Sequence, residues 1–146
     1  MSTISQSETK EILRKCKVIA VVGLSDDTTK PSFIVAAYLK SRGYRIIPVN
    51  PTVSKVLGEK CYSSLQAIPP KLQQTIDIVD VFRKSEEVPS VVKQAVALKQ
   101  KCGCPPVIWL QHGIVNEEAA EMARQAGLVV VMDKCMMEEH KRSLKA

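Results

Sequence analysis

Short apolar runs alternate along the chain with stretches in which apolar residues recur every third or fourth position. The runs occupy 17–22, 45–49, 76–82, 106–110 and 128–132. Each is too short for a buried helix, rich in Val and Ile, and bounded by Gly, Pro, Asn or Asp, so each predicts a strand. Between the first two, residues 31–42 predict a helix: Ile34, Ala37, Tyr38 and Leu39 recur at helical spacing, Pro31 suits the first position and Gly43 the stop. Ser85 is the predicted N-cap of a second helix, with Glu86 and Glu87 at its positive end and Pro89 in its first turn. Along it Val88, Val91, Val92, Ala95, Leu98 and Cys102 share one face. Asn116 predicts the cap of a third helix, which runs through Ala126 and ends at Gly127. A short polar helix over 5–15 precedes the first strand, and a polar helical tail follows the last. The stretch 52–64 reads as irregular with a turn at Leu57-Gly58, and 64–68 as a helical turn before Pro69-Pro70.

Strands and helices alternating in this way require a parallel sheet covered on both faces. The expected fold is α/β: a single Rossmann-like, doubly wound domain over 1–146, with a five-stranded parallel sheet and helices on both faces. In such a sheet the ligand crevice lies beyond the carboxyl ends of the strands, where strand order reverses. The segments expected there are 23–30, 50–55, 82–84, 111–113 and 133–135, each far more polar than the strand that feeds it.

The first of these turns departs from the dinucleotide fingerprint. Gly-x-Gly-x-x-Gly becomes Gly23-Leu24-Ser25-Asp26-Asp27-Thr28, which keeps only the glycine of the tight turn. The following helix N-terminus still offers N–H groups to a phosphate, Ser25 and Thr28 add hydroxyls, and Lys30 adds charge. Asp26 and Asp27 are expected to face water. At the end of the second strand, where an NAD site holds its ribose with Asp or Glu, stands Asn50 between Pro48 and Pro51. Its amide suits a base edge or a ribose, with Lys55 supplying charge nearby. Equally, Pro-Val-Asn-Pro simply stiffens a turn. The pattern fits a nucleotide-like ligand and argues against NAD.

Composition narrows the reading further. A net charge of +6 draws anions, yet the basic residues are scattered and only six aromatic residues (one Trp, three Tyr, two Phe) are present. Stacking on single-stranded nucleic acid is therefore disfavoured. No apolar run approaches the length of a membrane span, and no secretory signal opens the chain. Five cysteines, an odd number with no signal, suggest free thiols and a cytoplasmic location. With His112 and His140 isolated and no zinc-spaced pairs, no metal site is expected.

The chain resembles the small stand-alone CoA-binding proteins of bacteria and archaea, relatives of the CoA-binding domain of the succinyl-CoA synthetase alpha subunit and of the NDP-forming acyl-CoA synthetases. The resemblance runs from about Ile12 to about His140. It is carried by Val22-Gly23-Leu24-Ser25, Lys30-Pro31-Ser32, Ile47-Pro48-Val49-Asn50-Pro51, Leu57-Gly58, Tyr62-Ser63-Ser64-Leu65, Val79-Asp80-Val81-Phe82-Arg83, Trp109-Leu110-Gln111-His112-Gly113-Ile114 and Val131-Met132-Asp133-Lys134-Cys135. It implies a domain that holds coenzyme A, or an acyl-CoA, through the ADP portion. Gly23, Leu24, Ser25 and Asp26 in the first turn, with Lys30 and Ser32, would face the pyrophosphate. Asn50 and Pro51 would border the adenosine, and Lys55 would lie near its phosphate. Phe82 and Arg83 would line the crevice, and Gln111 and Gly113 would flank the pantetheine path. The missing ribose carboxylate agrees, because it would repel the 3′-phosphate of CoA.

No catalytic constellation is legible. The synthetases use a phosphorylated histidine and an ATP-grasp module on other segments, and His112 does not match that histidine. The expected role is a carrier, sensor or regulatory module. The alternatives are an NAD(P)-dependent oxidoreductase of minimal size and an interaction subunit that completes an acyl-CoA synthetase in trans. Partners beyond the small molecule are a second copy of the chain or a synthetase. Cys135, at the ligand edge, is placed for a mixed disulfide with the CoA sulfur under mild oxidation if its thiol is activated, and is otherwise an inert thiol in a turn.

Overall fold

The computed structural model describes residues 4–145. Five parallel strands, β1 (Val18–Val22), β2 (Arg45–Val49), β5 (Ile78–Val81), β6 (Val107–Leu110) and β7 (Val129–Val131), form one sheet in the order β2-β1-β5-β6-β7. Strand order reverses at β1, which pairs with β2 on one side and with β5 on the other. The α/β doubly wound fold expected from the sequence is the fold found.

Alternation along each strand assigns the two faces. Ile19 and Val21 of β1 pack with Trp109 and Val131 beneath α1 (Gln6–Lys15), α2 (Pro31–Ser41) and α6 (Met136–Ser143). Ala20 and Val22 pack with Ile108 and Leu110 beneath α4 (Val88–Cys102) and α5 (Glu117–Gln125). Burial on both faces is why the strands read as continuous apolar runs rather than as alternating ones. Asp77, just ahead of β5, accepts from the N–H groups of Lys17 and Val18 at 2.8 and 3.0 Å, pinning the entry of β1 to that of β5.

Three local readings change. The stretch taken as irregular folds into an antiparallel hairpin of β3 (Lys55–Val56) and β4 (Glu59–Lys60). Its turn residues Leu57 and Gly58 both take positive φ, 55° and 75°, as a tight two-residue hairpin turn requires. A one-turn helix, α3 (Pro70–Gln73), begins at the Pro pair. Ser85 does not cap α4. It opens a 3₁₀ turn over Ser85–Glu87, its Oγ accepts from Val115 N at 3.1 Å, and its carbonyl accepts from Asn116 Nδ2 at 3.0 Å. A tertiary tie between the loops after β5 and before α5 thus replaces the local cap.

Candidate functional site

A cleft of about 890 Å³ opens beyond the carboxyl ends of β1, β5, β6 and β7. It lies at the reversal of strand order, where a doubly wound sheet leaves a crevice between loops that diverge to opposite sides. Gly23 makes that junction possible. Its φ is +88°, and a Cβ built on it would stand 2.2 Å from the Phe82 carbonyl oxygen, so any other residue would force the ends of β1 and β5 apart. Gly23 N also donates to Val49 O at 2.8 Å, fastening the turn to β2.

The first turn is shaped by its own hydroxyls. Ser32 Oγ accepts from Ser25 N at 3.0 Å, and Ser25 Oγ accepts from Asp27 N at 3.0 Å. Asp26 and Asp27 are exposed, as expected. The backbone N–H of Thr29, then its hydroxyl, hold the Asp27 carboxyl below its usual range. The next helix starts with Pro31 at its first position and with no side-chain cap. Pro31 and Ser32 line the cleft, so this helix brings an N-terminus without a side-chain cap to its edge, the kind of terminus that binds phosphate. Lys30, Arg83 and Lys84 stand around the same opening.

Of the residues singled out in the sequence, Gly23, Ser25, Lys30, Ser32, Phe82, Arg83 and Gln111 come together in the cleft. Leu24 is 0% exposed with its side chain in the core, so only its backbone is available. Asp26, Asn50, Pro51, Lys55 and Gly113 lie outside the main cleft. Asn50 is engaged at both ends of its amide: Nδ2 donates to Leu24 O at 3.1 Å, while Oδ1 accepts from Thr52 N and Oγ1, each at 3.0 Å. It thereby couples the end of β2 to the first turn.

The far wall agrees in part with the sequence: Asp133, Lys134 and Cys135 follow β7 at the edge expected for 133–135, whereas Glu138, Glu139 and Arg142, which project from α6, were not anticipated. Asp133 takes φ 61° and accepts from Gly113 N at 2.6 Å, with His112 Nδ1 at 3.6 Å from the same oxygen. His112 itself is exposed. Glu139, buried, is bridged to Arg142 at 2.9 Å.

Beneath this wall lies Asp80, 0% exposed in the middle of the sheet. Gln111 Nε2 donates to its Oδ1 at 2.6 Å, while Oδ2 has no partner among the described residues. Burial pushes the carboxyl up to about 7, against the opposing effect of the Gln111 bond. Gln111 in turn accepts from Met136 N at 3.4 Å, so one amide links the buried acid to the start of α6. The signal for Asp80 was present: an acid inside Ile-Val-Asp-Val that the two-sided burial of a central strand does not tolerate without reason. No group of three metal-ligating side chains occurs among the described residues, and no helix there is long and apolar enough to cross a membrane.

The family model described as CoA binding domain matches residues 17–141. The chain belongs to the CoA-binding domain family. An uncharacterized protein, YneT of Bacillus subtilis, is 44% identical over 140 residues, covering 96% of this chain and 97% of its own. A solved structure of a hypothetical protein from Pyrococcus horikoshii superposes with a TM-score of 0.87 at 39% identity, covering 97% of this chain and 93% of that one. The acetate–CoA ligase (ADP-forming) II of Archaeoglobus fulgidus is 40% identical over 62 residues, 41% of this chain but 9% of the ligase. The family resemblance read from the strand-end motifs is therefore upheld.

Proposed function

We propose that this protein binds coenzyme A or an acyl-CoA in the cleft, as a carrier, sensor or regulatory module. The observation that carries the reading is the distribution of charge around the reversal of strand order. Lys30, Arg83 and Lys84 line the same cleft as an uncapped helix N-terminus, and the end of β2 holds Asn50 instead of a carboxylate. The diphosphate then lies across the first turn on the Ser32 and Phe33 N–H groups. Adenosine extends toward Asn50 and Pro51, with Lys55 near the 3′-phosphate. Pantetheine runs the other way, past Phe82 and Gln111 toward Cys135. Calorimetry with CoA and acetyl-CoA tests this: saturable heat supports it, and no heat at high micromolar protein sinks it. NADH is the discriminating competitor, since a dinucleotide that displaced CoA would favour an oxidoreductase instead.

The match to part of an ADP-forming ligase motivates a second reading, a subunit that completes a synthetase in trans. Co-purification with an ATP-grasp partner would support it, and a chain that runs alone at every concentration would count against it.

A further inference from the structure

A second cavity, of about 260 Å³, opens at the opposite edge of the sheet, where strands begin. Lys10 and Arg14 of α1, Lys17 ahead of β1 and Arg42 ahead of β2 stand around it, and no carboxylate lines it. Leu13, Tyr44 and His140 are its buried members.

Cations at this edge have an ordinary use. The carboxyl ends of α1, α2 and α6 all lie here, each equivalent to roughly half a negative charge. Glu11 takes up one more cation through its bridge to Arg14 at 2.6 Å. Set against the four lining cations, these leave a surplus of roughly one to two positive charges. Lys10 and Lys17, moreover, lie outside the last turn of α1.

His140 supplies an independent observation. It is 9% exposed, and its ring stands edge-on to both Tyr38 and Tyr44. The Tyr38 hydroxyl lies 2.7 Å from Nδ1, whereas Nε2 has no hydrogen-bond partner among the described residues. Burial and then the Arg42 charge hold the imidazole below its usual pKa, which favours the neutral ring. In the tautomer whose Nδ1 accepts from the Tyr38 hydroxyl, the single ring proton sits on Nε2, a donor that no described residue uses, on a residue that lines the cavity.

The geometry points to a second ligand site in this cavity, for a phosphoryl dianion held by Lys10, Lys17 and Arg42 over the Nε2–H of His140. Free phosphate and the terminal phosphate of a small metabolite share that chemistry. The site is separate from the cleft and does not depend on what the cleft binds.

Titration of inorganic phosphate into the full chain, at constant ionic strength and without CoA, provides the test. The His140 ring and Gly43 amide resonances are followed by NMR. Both are expected to shift to saturation, with saturation about tenfold weaker in the double variant Lys17→Ala/Arg42→Ala and unchanged in the cleft variant Arg83→Ala. Glycerol 3-phosphate run in parallel separates the sources: saturation by phosphate alone favours the free ion, and saturation by both favours a metabolite. Shifts that chloride reproduces, that never saturate, or that survive the double substitution overturn the proposal. Both substituted side chains are exposed, and thermal unfolding verifies that the variant retains its fold.

Discussion

The two faces of the sheet are built to different specifications. Beneath α4 and α5 the hydrophobic core is Val, Leu, Ile and Ala throughout, with Gln73 of α3 buried beside it on the Leu65 carbonyl. Beneath α1, α2 and α6 the core also holds Trp109 and Tyr44, with Asp80, Gln111, Glu139 and His140 buried on or beside that side. Aliphatic packing needs no partners and yields stability alone. Buried polar groups cost desolvation and are kept where they position something, here the start of α6 and the wall of the cleft.

The sharpest way to separate the faces is to cut into each. Ile108→Ala, on the aliphatic face, is expected to lower stability by about 2–4 kcal/mol, measured by denaturant unfolding, with CoA affinity of the folded fraction unchanged. A loss of affinity in parallel would contradict the division. Gly23→Ala strikes where the faces meet at the cleft. The strained φ and the clash with the Phe82 carbonyl predict a loss of roughly 1–3 kcal/mol together with a fall in CoA affinity. Retained affinity would show that the turn does not touch the ligand.

Asp80→Asn tests the polar face by pH. The folded carboxyl, raised from 3.8 to about 7, keeps its proton while the unfolded one has lost it. Its contribution is therefore fully present below about pH 4 and is lost as pH rises to about 7, by at most about 1.4 kcal/mol per unit. The variant should unfold at a temperature that varies less between pH 5 and 7, and should be the more stable of the two at pH 8. Equal slopes for both proteins would remove Asp80 from the account. The smallest effect is expected from Arg83→Ala, about a tenfold weakening of CoA binding that shrinks at high salt. Salt-independent weakening would mean that the side chain acts by packing.

The strands, the helices and the residues at the first turn were legible because periodicity and turn chemistry are local properties. Arg45–Val49 was bounded as found, and Pro31, Gly43, Asn116 and Gly127 marked helix ends correctly. Ser85 misled because a tertiary acceptor role looks the same in sequence as a local cap. The β3–β4 hairpin was missed since two-residue strands carry no period. The α6 wall of the cleft was invisible for a different reason. Glu138, Glu139 and Arg142 belong to a polar helix whose contribution depends on how it packs across the end of β7, which no local pattern records. Asp80 stood in plain view, but its unpaired oxygen depends on neighbours contributed by β6.

The indole of Trp109 reaches out of the core to donate to the Lys134 carbonyl at 2.8 Å, in the loop that carries Cys135. It is the chain's single tryptophan. The molecule thus holds a built-in optical reporter wired to the rim of its own cleft, and its emission should register any occupant that shifts that loop, with no label attached.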